Sequence, residues 1–148
     1  MTKQQIGRCG ELLVQVKLLL GGIESAPMTT DTGIDLVAFS NHNNKVLTIQ
    51  VKTNLKPKPA GGKGKKMLDW WIPDDSPADV IALVDLSSMS VWVFKFSEIT
   101  GLAQQHPKGR YHFGMYIDLS VRAKKSRKSF TFQFAKYLIE NRVSYLFK

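Results

Sequence analysis

The stretch GIDLVAFSNHNNKVLTIQVKT, Gly33–Thr53, decides how the chain folds. Two apolar runs, Ile34–Phe39 and Val46–Val51, flank the polar cluster Ser40–Lys45, whose serine and asparagines are turn residues. Such runs around such a turn read as a β-hairpin. Side chains alternate along a strand, so Val46, Thr48, Gln50 and Lys52 share one face and Leu47, Ile49 and Val51 the other. Gln50 and Lys52 then project side by side, about 7 Å apart at Cα. Asp35 opens the first run, where a hairpin of this length can set it across from them. A carboxylate, an amide oxygen and an ammonium group converge on one patch. That grouping suits a hard divalent cation such as Mg²⁺, which takes oxygen ligands, keeps several waters and needs one or two carboxylates besides phosphate oxygens. The three residues also fit a plainer arrangement, with Asp35 capping a turn and Gln50 and Lys52 on a solvated strand face.

Upstream, Lys3–Leu20 reads as a helix with an apolar stripe at Ile6, Cys9, Leu13, Val16 and Leu20, ended by Gly21-Gly22. Gly7 and Gly10 are poor helix formers, and close approach of the helix to a sheet would compensate for them. Glu11 follows directly, beside that contact. Ile23–Met28 is a short strand. Downstream, Leu55–Lys66 mixes lysines with Pro57, Pro59, Gly61, Gly62 and Gly64, and is expected to be a mobile basic loop. Asp69-Trp70-Trp71-Ile72 is a strand end or an aromatic contact surface. Ala78–Leu86 and Val91–Phe96 are strands; Ser97 caps a short helix near Glu98–Gln105; Tyr111–Val121 is a last strand; Ser129–Phe147 is a long, aromatic-rich helical segment. The order lacks the regular βαβ alternation of a doubly wound nucleotide fold, and neither GxGxxG nor GxxxxGK occurs. His42, His106 and His112 are scattered and are assigned no chemistry.

The 148 residues are expected to form one domain that buries close to two-thirds of its unfolded surface. A single cysteine, Cys9, excludes an internal disulfide framework and paired-cysteine zinc clusters. The polar N-terminus and the lack of an apolar run near the roughly 20 residues a membrane helix needs lead to a cytoplasmic expectation. The charge is unevenly placed. Lys52–Lys66 carries six lysines and no acid, and Arg122–Lys128 five basic residues and no acid. Without those windows the formal net charge of +9 becomes −2. Cations concentrated this way neutralise phosphates and release counterions, so nucleic acid is the expected partner.

With Gly7-Arg8-Cys9-Gly10-Glu11 on the first helix, Gly33-Ile34-Asp35-Leu36-Val37-Ala38, and Gln50-Val51-Lys52-Thr53, the chain resembles the PD-(D/E)xK nuclease superfamily. The match covers about the first third of the chain in order and spacing. The wider layout is similar to small single-domain members, among them archaeal Holliday junction resolvases and a homing endonuclease of a cyanobacterial group I intron. The resemblance implies an α/β, restriction-endonuclease-like core: a central mixed sheet flanked by an N-terminal and a C-terminal helix. It implies a Mg²⁺-dependent endonuclease, with Mn²⁺ as a substitute and no organic cofactor. Asp35 is then the central metal ligand, Gln50 the second, aided by the Val51 carbonyl. Glu11 serves the metal through water or holds a second ion, and Lys52 positions the attacking water. Lys56, Lys58, Lys63, Lys65, Lys66, Arg122, Lys124, Lys125, Arg127 and Lys128 would hold DNA, and a homodimer or higher homo-oligomer would cut both strands. The departure is Gln50, where most of the superfamily has Glu or Asp; it leaves open a degenerate module that binds nucleic acid without cutting it. RNA processing by the same site is a third reading.

Overall fold

A computed structural model describes residues 1–148. Helix α1 spans Lys3–Leu20 as expected. Thr2 accepts from the Gln5 N–H while Gln5 reaches back to the Thr2 N–H, a reciprocal cap that satisfies two orphan donors. Strand β1, Glu24–Pro27, pairs antiparallel with β2, Leu36–Phe39, which pairs antiparallel with β3, Val46–Asn54. The expected hairpin is therefore present, with Leu36 opposite Ile49 and Phe39 opposite Val46.

The sheet continues through β6, Val80–Asp85, parallel to β3, and β7, Ser90–Lys95, antiparallel to β6. It is a mixed five-stranded sheet in the order β1-β2-β3-β6-β7. All six residues of β6 are buried, as a central strand covered on both faces requires. One face packs α1 and the C-terminal helix α3, Ile139–Leu146, around Leu13, Val14, Leu18, Leu36, Ile49, Ala82 and Val143. A mixed sheet flanked by an N-terminal and a C-terminal helix, here both on one face, is the α/β layout expected.

The opposite face carries a layer that the order of elements did not reveal. Strand β5, Lys66–Pro73, pairs with β8, Arg110–Tyr116, over seven residue pairs, with the two-residue β4, Lys58–Pro59, on its other edge. This second sheet, with helix α2, Phe96–Leu102, closes over Ile81, Leu83, Trp92 and Phe94 of the first.

Five expectations change. The lysine-rich Leu55–Lys66 contains a hydrogen-bonded hairpin, Lys58 opposite Met67 and Ala60 N–H on Lys65 O at 2.9 Å, because β5 supplies a partner strand. Strand β8 ends at Tyr116, not Val121. Lys95, not Ser97, precedes α2, its N–H donating to Glu98 Oε1 at 2.8 Å. The segment from Ser129 is split into a 3₁₀ turn, Thr131–Tyr137, and α3, with Leu138 extended between them and bridged to Trp92. On α1 the buried face is Gly10, Leu13, Val14 and Leu18, while Val16 and Leu20 are exposed. The reason lies at Gly10. A Cβ there would sit 1.8 Å from Thr53 Oγ1, so the helix is turned to lay its bare backbone on β3.

Candidate functional site

The site forms where β2 has ended and β3 runs on. Asp35 N–H donates to Ile49 O at 2.8 Å, and the Asp35 carboxylate then takes the place a further β2 residue would fill. Its Oδ2 accepts the Val51 N–H at 2.7 Å. The N–H and C=O of one strand residue point the same way. The Val51 carbonyl therefore faces this open edge beside Asp35. Burial lifts the Asp35 carboxyl above the ordinary carboxylate value. The Val51 hydrogen bond and the nearby Lys52 ammonium pull it down and Asp31 pushes it up, but desolvation dominates.

Gln50 lies one step past Leu36–Ile49 in the register, which sets it opposite Asp35. Its side chain is buried, and Oε1 accepts from the Ser76 hydroxyl at 2.8 Å. Gly33 leaves room for this packing: its φ is +86°, and a Cβ there would meet Pro77 Cδ at 2.9 Å. Ser76 is a site neighbour that sequence reading missed, since nothing in the chain ties position 76 to position 50. Glu11 is held by Arg8, Nη1 to Oε2 at 3.0 Å, one helix turn back. It lies on the α1 flank shared with Gln15, whose amide donates to Ser25 O of β1 at 3.4 Å. Asp35, Val51 and Lys52 are thus gathered at one point and Gln50 stands opposite, while the Glu11 carboxylate is engaged by Arg8.

Lys52 lines a cleft of about 400 Å³ between the N-terminal half of α1 and the end of β3. Lys3, Ile6 and Gly7 form its helix wall, and Lys56 and Lys58 continue past the strand. Four lysines and no acid face this cleft. Lys3 was not singled out from the sequence; its only signal is a cation in the first turn of the helix that carries Glu11.

The two basic windows meet at one groove of the second sheet, lined by Ala60 and Gly61 from the first and Arg127 from the second. Ile117 N–H donates to Lys66 O at 3.2 Å, and Lys65 lies 3.9 Å from Asp118. Lys63, Lys65, Lys66, Arg122, Lys124, Lys125 and Arg127 are exposed and Lys128 half-buried. The histidines serve other ends: His112 bonds Asp69 at 2.7 Å and stacks on Trp71, and His106 bonds Asp74 at 3.0 Å.

The residues fit a divalent cation in one respect and resist it in another. Asp35 is a half-buried carboxylate whose charge is opposed by desolvation, with Oδ2 fixed by one N–H, and an adjacent cation would relieve that cost. No group of three His, Cys, Asp or Glu side chains gathers in the molecule. A cation here would rely on Asp35, the Val51 carbonyl and the second lone pair of Gln50 Oε1.

A helix laid by its glycine on a hairpin, with Asp35 at the hairpin's mouth and Gln-x-Lys on the adjoining strand, is the arrangement of the expected restriction-endonuclease-like α/β fold. The fold extends over nearly the whole chain. It is similar to the solved structure of a bacterial homing endonuclease, I-Ssp6803I, with a TM-score of 0.63 and 14% identity over 97% of this chain and 91% of that one. It also matches Hjc, a Holliday junction resolvase of Archaeoglobus fulgidus, with a TM-score of 0.49 and 16% identity over 77% of this chain and 84% of that one. No protein-family model matches the chain. No curated protein matches it. No helix is long and apolar enough to cross a membrane.

Proposed function

We propose that this chain is a metal-dependent endonuclease that hydrolyses phosphodiester bonds of DNA. The observation that carries the reading is the Asp35 carboxylate, raised in pKa and fixed on Val51 N–H, beside Lys52 at the head of a cleft lined by four lysines. Asp35, the Val51 carbonyl, Gln50 and Glu11 would hold Mg²⁺, or Mn²⁺ in its place. Such an ion, when bound, lowers the pKa of water and stabilises charge on the phosphate.

The chain's own residues do the rest. Lys3, Lys56 and Lys58 neutralise phosphates beside the cut strand. Lys52 stands next to the Asp35 carboxylate. It orients the attacking water toward the scissile phosphate instead of removing its proton. The hairpin lysines and Arg122–Lys128 extend the cationic surface beyond the cleft. Cutting both strands takes two such sites, so the working form is a homodimer. The chain acts as a single nuclease domain in the cytoplasm.

A second reading has its own support. Gln50 brings no charge and already bonds Ser76, and Glu11 is engaged by Arg8, so the same fold would serve as a DNA-binding module whose site has lost cleavage. Plasmid nicking with Mg²⁺ or Mn²⁺ separates the two. Cleavage lost in Asp35→Ala and in Lys52→Ala, with binding kept within a few-fold, supports the nuclease. Tight binding with no cleavage under either ion assigns the degenerate module.

A further inference from the structure

The 3₁₀ turn that follows the second basic window sorts its aromatic residues by a period of three. Phe134 and Tyr137 turn inward and are buried beside Phe94. Phe132 is left outside, 63% exposed. It is stacked on Phe130, with ring centroids 5.7 Å apart and planes 12° from parallel. Phe130 in turn leans on Tyr116 of β8 at 6.5 Å. Tyr116 forms part of the wall of a groove of about 240 Å³, together with Arg127 and His112 on one side and the Ala60–Gly61 turn of the lysine hairpin on the other. A row of aromatic rings thus leads from solvent into a groove where both basic windows meet. The seven residues before the row, Arg122–Lys128, hold five cations and no acid.

We propose that this row and groove bind an unpaired strand of DNA, separately from the lysine cleft at Asp35. Aromatic faces on which successive bases stack, beside a cationic track for the backbone, are the combination that single-stranded nucleic acid requires. A continuous duplex keeps its bases stacked on one another and offers Phe132 nothing to stack on. Phe132 takes a base, Phe130 and Tyr116 continue the row, and Arg127 and the hairpin lysines neutralise the phosphates. The inference rests on the nuclease reading only for the choice of DNA as the polymer. Under that reading, the enzyme acts on DNA that carries a single-stranded arm, flap or branch beside the cut.

The test is equilibrium binding by fluorescence anisotropy, in EDTA so that no cleavage enters. It uses a labelled oligo-dT and a duplex of equal length. Phe132→Ala is expected to weaken oligo-dT binding about 5- to 150-fold, the range of one lost base stack. Duplex binding is expected to stay within two-fold, and the salt slope for oligo-dT is expected not to change, because no phosphate contact is removed. Phe132→Trp is expected to restore oligo-dT affinity. Phe132 is exposed, so truncation leaves the core intact, and an unchanged melting curve verifies this. Equal losses on both DNAs, or no loss on oligo-dT, overturn the proposal. So does a sedimentation profile in which Phe132→Ala turns a dimer into a monomer, since the rings are then covered by a second copy. Loss of the nuclease reading is scored separately, by cleavage in Asp35→Ala, and leaves these binding results standing.

Discussion

Two glycines of the same helix face opposite surroundings, and alanine at each is expected to move stability in opposite directions. At Gly10 the new methyl would lie 1.8 Å from Thr53 Oγ1 and 2.8 Å from Thr53 Cβ and Cγ2. Thr53 is β-branched, stiff at χ1, and anchored in β3 opposite Val84, so it has little freedom to withdraw. Restoring a contact near 3.5 Å pushes α1 off the sheet by on the order of 1.7 Å. Overpacking of this kind costs about 1–3 kcal/mol, and the severity here selects the upper end. Alanine returns about 1 kcal/mol of helix propensity. The net loss is about 2 kcal/mol, a fall in Tm of about 4–8 °C for a chain of this length. At Gly7 a Cβ meets nothing within 4 Å, so only the propensity gain remains. Gly7→Ala should raise Tm by about 2–4 °C. Thermal melts by far-ultraviolet circular dichroism measure both. The double variant Gly10→Ala/Thr53→Ala should recover part of the loss, because it removes the contacts with Oγ1 and Cγ2 while the Cβ at 2.8 Å stays. The Thr53 hydroxyl, buried without a hydrogen-bond partner, gives up nothing by leaving. The displaced helix carries Glu11 with it, so cleavage should fall in Gly10→Ala even at temperatures where the chain is folded. A Gly10→Ala variant that melts at or above the wild type would refute the helix–strand contact on which the site is built.

Three further outcomes are expected. Asp35 has its carboxyl raised in the folded chain, so the folded state holds that proton more tightly than the unfolded one; stability falls as pH climbs from the unfolded value through the raised one, and at neutral pH the charge is a net cost. Asp35→Asn should therefore abolish cleavage yet raise stability at neutral pH by about 0.5–2 kcal/mol, and a lower Tm than wild type contradicts this. Added Mg²⁺ should stabilise the wild type by about 1.4 kcal/mol at ten times its Kd and leave Asp35→Asn unmoved; identical shifts in calorimetry remove Asp35 from the metal site. Neutralising Lys56 and Lys58 together should lower the salt slope of duplex binding by about 2 units, and an unchanged slope shows that the cleft holds no phosphate.

Much of the site was legible because it is local. The β2–β3 hairpin links residues at most 16 apart in the Asp35–Val51 contact, and strand alternation alone assigns the faces of Gln50 and Lys52. The helix was legible from its apolar content, and Gly10 announced a close approach before any partner was known. The stripe was misjudged because α1 is rich in leucine and valine on several sides. Periodicity weighs Val16 and Leu20 as heavily as Leu18, and gives no weight to a glycine that in fact centres the buried face.

The sequence by itself determined the helix, the hairpin with its acid and Gln-x-Lys, the two cationic windows and the class of fold, since each is written in residues near one another in the chain. The tertiary structure alone decided what those residues meet. Met67 pairs with Tyr116 across 49 residues, Ser76 bonds Gln50 across 26, and Lys3 comes to face Lys52 over a cleft. Such contacts follow from how two sheets and three helices close over shared cores, a balance of burial and packing summed over the whole chain that no local pattern records.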